Sequence, residues 1–379
     1  MIVVYLLALL GLMALAFVVV DIVPRLRQWI GRIHIGRWKD ASAWLQALQR
    51  TCESWLERTP IVPFKEQDRM ILLDILKGEY HNSTIQYWQR AGLILGLSEN
   101  DEKLQKNAIS SVIDEQTGQW KTMPKRIDCA LLAYAILTSK DADVAHIKPA
   151  MDAVYKLIRE YKGDGQTVPY RKGQSDIRFV DTLGFICPFL MAYTWHYGTQ
   201  DSEDLAWRQM EEYDIALLPK WYFPAHAYDL KQQAPLGLYD WGRGMGWYAL
   251  ALIEMYKFAD EMGKNRLKTR ILRLSDSLMQ CQQKGGGFSA ELFSKSNAEG
   301  SATVLAGLLL HQAYCLTQDA KYKEATRRAV SALMSLTRRN GALDMCQGDT
   351  RGIGFYSSRF DVMPFAQGLA LMLAKRINQ

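Results

Sequence analysis

The chain has 379 residues, of which 49% are hydrophobic and 23% charged, a composition typical of an ordinary globular protein. The formal net charge is +6, and much of this excess positive charge lies near the N-terminus. The globular part contains no long run of Lys or Arg, which argues against a nucleic-acid-binding protein.

Cysteine and histidine usage points away from disulfides and metals. No two cysteines form a Cys-x-x-Cys pair, and several lie in apolar helical segments, which predicts free buried thiols and a reducing compartment. The histidines are scattered, without the spacing of metal ligands. We therefore expect neither a metal nor another cofactor. The cysteines are Cys52, Cys129, Cys187, Cys281, Cys315 and Cys346.

The first predicted element is an uninterrupted apolar segment, Ile2–Val20. A helix of this length spans about 28 Å, enough to cross the hydrocarbon core of a bilayer. A cleaved signal peptide is the alternative, but no Lys or Arg precedes the segment and no small-x-small cleavage site follows it. We expect a single-pass transmembrane anchor over 1–23, followed by a basic juxtamembrane linker over 24–39. The basic residues of this linker are Arg25, Arg27, Arg32, Arg37 and Lys39. The positive-inside rule then predicts a cytoplasmic body, with a periplasmic or extracellular body as the alternative.

From residue 40 onward the chain is predicted to consist of paired helices. One member of each pair is amphipathic, as in Ala145–Tyr161, and the other is apolar on nearly every side, as in Asp181–Tyr193. The apolar members recur at intervals of 44 to 62 residues. Their first residues are Thr84, Asp128, Asp181, Arg243, Glu299 and Asp361. Six such hairpins predict an all-α fold, an (α/α)6 barrel over 40–379 with the apolar helices inside.

An open α-solenoid explains the repeat equally well, but it does not explain the charged residue at the head of five of the six apolar helices. In a closed barrel these helices begin at one common end, where their positive N-termini favour an anionic ligand. Short segments rich in glycine and aromatic residues separate the two helices of several pairs, for example Gly163–Arg171. They predict tight turns or short ribbons at one rim.

The stretch Gly237–Met255 starts as a glycine-rich turn and continues as an apolar helix. Three glycines at every second position, beginning with Gly242, let the backbone come close to a neighbour. One fixed cation, Arg243, stands between two large rings, Trp241 and Trp247. Flat rings beside a guanidinium suit a sugar ring that carries a carboxylate. Tryptophans in the core and an arginine that only caps or pairs are the structural alternative.

Two aspartates, Asp128 and Asp181, head apolar helices of neighbouring hairpins. Helix capping is an alternative explanation for each of them, because aspartate is favoured at that position. If they face each other across a cleft, their pKa values are pushed apart, and one of them can donate a proton near neutral pH. A carboxyl pair of this kind suits glycoside chemistry.

Further candidates surround the predicted cleft. His226 lies in an aromatic loop, with a backbone-bonded loop histidine as the alternative. Tyr170 and Arg171 end a turn ten residues before the second aspartate, and they can reach the same rim. Glu299 and Ser301 head another apolar helix, where capping explains both residues adequately.

The motif Trp241-Gly-Arg243-Gly-Met-Gly-Trp247, preceded by His226 and by Phe-Val-Asp181-Thr-Leu-Gly-Phe, resembles glycoside hydrolase families 105 and 88. These families contain the unsaturated rhamnogalacturonyl and unsaturated glucuronyl hydrolases. The resemblance covers about residues 40–379 and implies the same (α/α)6 barrel. It also implies a substrate, namely an oligosaccharide that ends in a 4,5-unsaturated uronic acid.

The reaction implied by this resemblance is hydration of a vinyl ether, followed by release of the aglycone. Asp181 would be the general acid and base, and Asp128 would hold the substrate and raise the pKa of Asp181. Trp241, Arg243 and Trp247 would bind the uronate ring, His226 would hydrogen-bond its hydroxyls, and Arg171 falls where the family often has a basic residue.

The chain departs from the family pattern at positions that shape the pocket. Phe179 stands where the family commonly has tryptophan, Phe185 where it often has methionine, and Met245 where it often has asparagine. The particular unsaturated sugar therefore stays open. A non-catalytic, membrane-tethered glycan-binding or polysaccharide-assembly protein is the alternative function. An epimerase is less favoured, because such sites generally need a histidine pair and only His226 is suitably placed.

Overall fold

A computed structural model describes residues 1–60, 62–64, 71–77, 81–82, 87–97, 102–140, 142–163, 165–350 and 352–377. The helices of this part are α1 (Ile2–Phe17), α2 (Val23–Arg32), α3 (Ala41–Glu57), α4 (Ile71–Leu76), α5 (Tyr87–Leu97), α6 (Glu102–Ser110), α7 (Cys129–Leu137), α8 (Lys148–Lys162), α9 (Val180–Tyr197), α10 (Gln200–Tyr213), α11 (Gly242–Tyr256), α12 (Glu261–Cys281), α13 (Gly300–Thr317), α14 (Ala320–Ser335) and α15 (Pro364–Ile377). A π-helical turn, Val18–Ile22, joins α1 to α2, and a 3-10 helix, Asp214–Ala216, follows α10.

Six helices form a closed inner ring. α5, α7, α9, α11, α13 and α15 each pack against the next, and α15 packs against α5 to complete the circle. Nearly all of their residues are buried, as expected for helices that are apolar on every side. The closure excludes the open solenoid and confirms the predicted (α/α)6 barrel.

The amphipathic helices cover this ring from outside. α6, α8, α10, α12 and α14 alternate with the inner helices along the chain, and α3 packs on both α5 and α15. Their buried residues recur at helical spacing, as at Leu267, Ile271, Leu274 and Leu278 of α12. The periodicity in the sequence thus distinguishes the two layers correctly.

Glycines allow the backbones to approach closely where the inner helices cross. A Cβ atom on Gly92 would lie 2.4 Å from the Cα atom of Phe365, and one on Gly368 would lie 1.9 Å from the carbonyl oxygen of Gly92. The glycines of the central stretch serve the same purpose, since a Cβ on Gly246 would lie 2.3 Å from the side chain of Leu305. Only glycine permits this spacing between α5 and α15 and between α11 and α13.

Short ribbons lie next to the N-termini of the inner helices. β3 (Ile177–Phe179), β4 (Ala227–Asp229) and β5 (Ala234–Leu236) form an antiparallel three-stranded sheet. β6 (Cys346–Gln347) pairs with β7 (Phe360–Asp361), and β1 (Pro63–Phe64) pairs with β2 (His81–Asn82). These ribbons therefore place side chains at the end of the barrel where the inner helices begin.

Two of the predicted helix heads need comment. Asp361 does not head an inner helix, because it ends β7 and pairs with Arg338 before α15 begins at Pro364. The proline fixes φ and starts the helix there. Thr84 lies outside the described residues.

The N-terminal helix is continuous from Ile2 to Arg32, and it is long and apolar enough to cross a membrane. No residue of α1 is buried. Much of the segment predicted as a linker is helical, since α2 covers Val23–Arg32 and contacts the barrel through Arg32. The main body then begins at α3, which Asp40 caps by accepting hydrogen bonds from two backbone amides of the first turn.

Candidate active site

A cavity of about 400 Å³ lies at the end of the barrel where the inner helices begin. It collects residues from α5, α8, α9 and α11, from the strand Ile177–Phe179 and from the loops between helices. Its described lining residues are Trp88, Arg126, Tyr161, Tyr170, Arg171, Lys172, Phe179, Asp181, Phe185, His226, Arg243, Trp247, Asp349, Thr350 and Gly352. Six of the eight site residues expected from the sequence are among them; Asp128 and Trp241 are not.

The three-stranded sheet places Asp181 beside His226. Phe179 ends β3 and pairs with Ala227 of β4, and the amide of Val180 donates to the carbonyl of His226 at 3.0 Å. Asp181 follows in the first turn of α9, and its Oδ2 atom lies 3.8 Å from Nε2 of His226. The two groups are neighbours because one ribbon carries both chain segments.

Asp181 does not cap its helix. The N-cap residue of α9 is Phe179, and Oδ2 of Asp181 is buried without a hydrogen-bond partner in the described structure. Burial raises the pKa of Asp181 to about 7; the positive charges of Arg243 and Arg171 oppose this rise, and the negative charge of Asp349 adds to it. The side chain is 17% exposed, so a proton can pass between it and a molecule in the cavity.

Asp128 precedes α7 and makes no side-chain cap hydrogen bond either. Its Oδ1 atom is buried without a hydrogen-bond partner among the described atoms. Burial raises the pKa of Asp128 to about 6, opposed by the charge of Arg126. Burial, and then the negative charges of Asp128, Asp181 and Asp349, raise the pKa of Tyr170 well above its ordinary value. The capping alternative therefore accounts for neither aspartate.

His226 is buried and neutral. Burial and the charge of Arg243 lower its pKa to about 3. Its Nδ1 atom is 3.0 Å from the hydroxyl of Tyr356, which also accepts a hydrogen bond from the amide of Leu238. Gly237 makes room for this arrangement, because its φ is +76° and a Cβ atom there would lie 2.9 Å from both His226 and Tyr356.

Arg243 is buried, with its guanidinium held by backbone carbonyls. It donates to the carbonyl of Gln347 and, at 2.8 Å, to that of Gly348. Within the described structure no carboxylate forms an ion pair with it. Trp241 lies beneath the site, with its ring 4.4 Å from that of His226 and its Nε1 donating to the side chain of Gln347 at 3.0 Å. The arginine thus brings a largely uncompensated positive charge to the cavity.

Aromatic rings form the apolar part of the cavity wall. Phe185 and Trp247 pack edge to face with centroids 4.7 Å apart, and Trp88 contacts Trp247 at 5.5 Å. Each is at most 3% exposed, so these rings belong to the core and line the cavity at the same time. Trp247 is therefore a core residue that also lines the cavity, and its role in binding the uronate ring stays a prediction.

A search of family models matches residues 97–377 to Glycosyl Hydrolase Family 88. This segment spans well over half of the chain and includes five of the six inner helices and every described cavity residue except Trp88. The chain belongs to glycosyl hydrolase family 88.

Solved structures with the same fold agree with this membership. A possible member of family 105 from Klebsiella pneumoniae has a TM-score of 0.73 at 13% identity, over 89% of this chain and 94% of that one. A family 105 glycoside hydrolase from C. acetobutylicum has a TM-score of 0.66 at 17% identity, over 81% and 98%. The unsaturated glucuronyl hydrolase of Bacillus sp. GL1 has a TM-score of 0.66 at 14% identity, over 90% and 97%. No curated protein matches the chain in sequence.

Several residues of this family 88 cavity were not predicted from the sequence. Asp349, Thr350 and Gly352 come from the loop between β6 and β7, and Arg126 comes from the loop before α7. Trp88 belongs to α5, the inner helix that was predicted from the sequence to begin at Thr84. A charged residue in an irregular loop gives no periodic signal, so only the position of Arg126 two residues before Asp128 could have drawn attention to it.

Glu299 and Ser301 have the structural role expected of them. Glu299 is the N-cap of α13 and accepts hydrogen bonds from the amide of Ala302, the hydroxyl of Ser301 and the amide of Gln347. Neither residue is among those that line the cavity. Their hydrogen bonds hold the strand that also bonds Arg243.

Proposed function

We propose that this family 88 hydrolase removes a terminal 4,5-unsaturated uronic acid from an oligosaccharide by hydrating its vinyl ether. The observation that carries the proposal is the cavity that contains both Asp181 and Arg243. One is a buried carboxyl that holds a proton near neutral pH, and the other is a buried cation with no ion-pair partner in the described structure. The unsaturated glucuronyl hydrolase from Bacillus sp. GL1, which has the same fold, supports the same substrate class.

In the proposed reaction Asp181 first acts as an acid. Its proton goes to C4, the electrons of the C4–C5 double bond form the new C–H bond, and positive charge develops at C5 and the ring oxygen. Water then adds at C5 and gives a proton to the carboxylate, so Asp181 ends the cycle protonated. The resulting hemiketal opens, and the hemiacetal formed at C1 releases the aglycone. A positioned acid of this kind contributes roughly 10²–10⁴-fold to the rate.

Arg243 is proposed to bind the uronate carboxylate. Its guanidinium is already oriented by two carbonyls, so little side-chain freedom is lost when an anion binds. An anionic group also compensates the buried positive charge. Because C5 carries the carboxylate, this contact holds the double bond in a fixed place relative to the acid.

His226 is proposed to donate a hydrogen bond to a sugar hydroxyl. When Tyr356 donates to Nδ1, the proton of the neutral imidazole resides on Nε2, which lies on the Asp181 side of the ring. Trp247 and Trp88 supply an apolar wall for the ring. Asp128, which lies at the head of α7 outside the described lining of the cavity, is proposed to hold the substrate because the family resemblance implies this role.

The test follows the ultraviolet absorbance of the conjugated double bond. The full chain in detergent is incubated with lyase-generated disaccharides from pectin, glycosaminoglycan and bacterial exopolysaccharide. A loss of absorbance that disappears in Asp181→Asn supports the proposal and identifies the aglycone class. If the folded protein binds these sugars but never consumes the double bond, the non-catalytic glycan-binding function is correct instead.

We also propose that the N-terminal helix stays attached as a membrane anchor over 1–23, with the barrel in the cytoplasm. Contacts of Asp21 and Arg32 with the rest of the chain support retention, and the six free thiols fit a reducing compartment. Cys315 is exposed on the barrel and reports the side of the membrane. An impermeant maleimide should label it only after the cells are permeabilised; labelling in intact cells would place the barrel outside.

A further inference from the structure

Helix α2 turns its polar side toward the barrel and its apolar side away from it. Gln28 donates to the carbonyl of Phe360 at 2.9 Å, and Arg32 donates to the carboxylate of Asp344 at 2.7 and 2.8 Å. The apolar side chains on the other side of the helix, together with that of Ile33 directly after it, are 48–65% exposed: Leu26, Trp29, Ile30 and Ile33. A surface helix of a soluble protein has the reverse arrangement, so this apolar stripe needs a partner outside the barrel.

Helix α4 also exposes apolar side chains. It packs beside the π-helical turn, and Asp21 of that turn accepts hydrogen bonds from the amides of Ile71 and Leu72 at the start of α4. The apolar residues that α4 leaves 43–66% exposed are Leu73, Ile75 and Leu76. The exposed apolar surface therefore belongs to two elements that meet at the end of the apolar α1 helix.

A basic cavity follows the stripe along the chain. It has a volume of about 270 Å³, and its described lining residues are His34, Arg37, Trp38 and Arg339. The indole of Trp38 is fixed by donating to the carbonyls of Thr337 and Arg338 at 3.2 Å. An apolar stripe beside cationic side chains matches the boundary between acyl chains and phosphate headgroups.

The length of the N-terminal helix leads to the same partner. The helix Ile2–Arg32 has 31 residues and is about 46 Å long, whereas the hydrocarbon core is about 30 Å thick. About ten residues at its end must lie outside the core. The π-helical turn Val18–Ile22 and Pro24 mark the transition, and both features allow a helix to bend.

We propose that α2, α4 and the basic cavity rest on the surface of a bilayer that contains anionic phospholipid. The barrel then has a second membrane contact beyond the span and is not suspended on a tether. Helix α2 is hydrogen-bonded to Asp344 and Phe360, and the segment between these two residues contributes Asp349 and Thr350 to the candidate active-site cavity. The proposal therefore places the cavity end of the barrel near the membrane. This inference does not depend on the proposed reaction.

The experiment uses the full chain in nanodiscs with a nitroxide-bearing lipid. In a Cys315→Ser background, an environment-sensitive fluorophore is attached to Ile30→Cys or, as the distant control, to Glu261→Cys on α12. The label at residue 30 should be quenched at least threefold more strongly than the label at residue 261. Equal quenching at the two sites would overturn the proposal. It would also be overturned if residue 30 were buried only in discs that hold two chains, because the apolar stripe would then contact a second copy of the chain.

The contribution of anionic lipid is tested by charge reversal. Quenching at residue 30 should be stronger in discs with phosphatidylglycerol than in phosphatidylcholine alone, and Arg37→Glu with Arg339→Glu should remove this difference. Arg327→Glu, on the outer surface of α14, is the control and should leave the difference intact. Equal quenching in both lipids would refute the role of the basic cavity.

A separate observation assigns a role to Arg32. The carboxylate of Asp344 is fully buried and accepts hydrogen bonds at 2.7 Å from both Arg32 and Arg338. Burial alone would raise the pKa of Asp344, but the two guanidinium groups keep it below its ordinary value. Arg32 also donates to the carbonyl of Phe360 at 2.7 Å, so it joins the two ends of the hairpin that starts at β6 and ends at β7.

We infer that Arg32 is a positioning residue for this hairpin, which lines the cavity through Asp349 and Thr350. Arg32→Ala leaves Asp344 paired with Arg338, so the protein should fold, but amide exchange across 346–360 should rise at least tenfold. Arg27→Ala, an exposed change on the same helix, should leave exchange unchanged, and Arg32→Lys should restore protection in part. Unchanged exchange in Arg32→Ala would overturn the inference.

The effect on catalysis rests on the proposed function and is read separately. In Arg32→Ala the KM for the unsaturated disaccharide should rise several-fold with kcat less affected, because a loosened wall weakens binding before it alters the acid. Should the chain lack hydrolase activity altogether, the exchange experiment still decides the role of Arg32. Increased exchange with an unchanged KM would show that the hairpin is held but does not contact substrate.

Discussion

Glu299 and Asp181 both lie at the start of an inner helix, yet their surroundings differ completely. Glu299 is the N-cap residue of α13, and Asp181 is the second residue of α9. The oxygens of Glu299 accept hydrogen bonds from two amides and one hydroxyl, whereas Oδ2 of Asp181 has no hydrogen-bond partner in the described structure. A carboxylate whose two oxygens are both hydrogen-bonded stabilises the fold, whereas a carboxylate with one buried oxygen left without a donor holds a proton more readily. Position in the repeat identifies candidates, and hydrogen bonding separates their roles.

The largest expected effect comes from removing the acid. Asp181→Asn should lower kcat by about 10²–10⁴-fold, because the amide cannot deliver the proton to C4. Glu299→Gln should retain most of its turnover once the rate is corrected for the folded fraction. Single-turnover measurements of double-bond loss check both variants. Comparable losses in the two would mean that the comparison between these carboxylates is wrong.

For Glu299 the order of effects is reversed, and we expect its replacement to affect stability more than turnover. Glu299→Ala should lower the free energy of unfolding by about 2–4 kcal/mol, because it removes the cap of α13 and leaves the buried amide of Gln347 without its acceptor. Urea denaturation measures this loss. The matched control is Glu291→Ala, an exposed carboxylate beside the same end of the barrel, which should change stability by about 0.5 kcal/mol or less.

The raised pKa of Asp181 makes stability depend on pH. The folded pKa is about 7 and the ordinary value is 3.8, so the native state binds the extra proton between these values. The associated stability is complete below pH 3.8 and is lost as the pH rises through 7, at up to about 1.4 kcal/mol per pH unit. Asp181→Asn should therefore be more stable than the parent at pH 8 and similar to it at pH 4. A constant difference at both pH values would contradict the assignment.

The smallest expected effect sharpens the electrostatic side of the comparison. The charge of Asp349 raises the pKa of Asp181 and that of Arg171 lowers it. In Asp349→Asn the alkaline limb of kcat/KM should move to lower pH by less than one unit, and in Arg171→Gln it should move to higher pH. His226 should contribute no limb between pH 5 and 8, because burial keeps it neutral. Shifts in the same direction for both variants would rule out direct charge effects.

Much of the fold was predictable because the inner and outer helices differ in periodicity. An apolar run such as Cys129–Leu137 can only be buried on all sides, whereas α12 shows a single apolar stripe. The prediction that Asp361 heads an inner helix was wrong, because a charged residue beside an aromatic resembles the other helix heads, whereas Pro364 sets the actual start of α15.

The site was only partly predictable. Residues next to inner helix starts, such as Asp181 and Arg243, were found because the repeat marks their positions. Asp349 was missed because its place depends on the pairing of β6 with β7, which two-residue strands do not reveal in sequence. The docking of α2 was missed for a similar reason, since Arg32 resembles any juxtamembrane arginine until its bond to the distant Asp344 is seen.

The contact between α5 and α15 has a consequence for biosynthesis. Gly92 and Gly368 are 276 residues apart in sequence, yet at these positions the two helices pack as closely as glycine allows. The ring therefore cannot close until the last helix has left the ribosome, and α5 waits with its apolar surface uncovered. Contacts of such long sequence separation slow folding and favour aggregation of the waiting chain. Adding one methyl group, as in Gly368→Ala, should therefore reduce the yield of folded protein even when every residue of the cavity is intact.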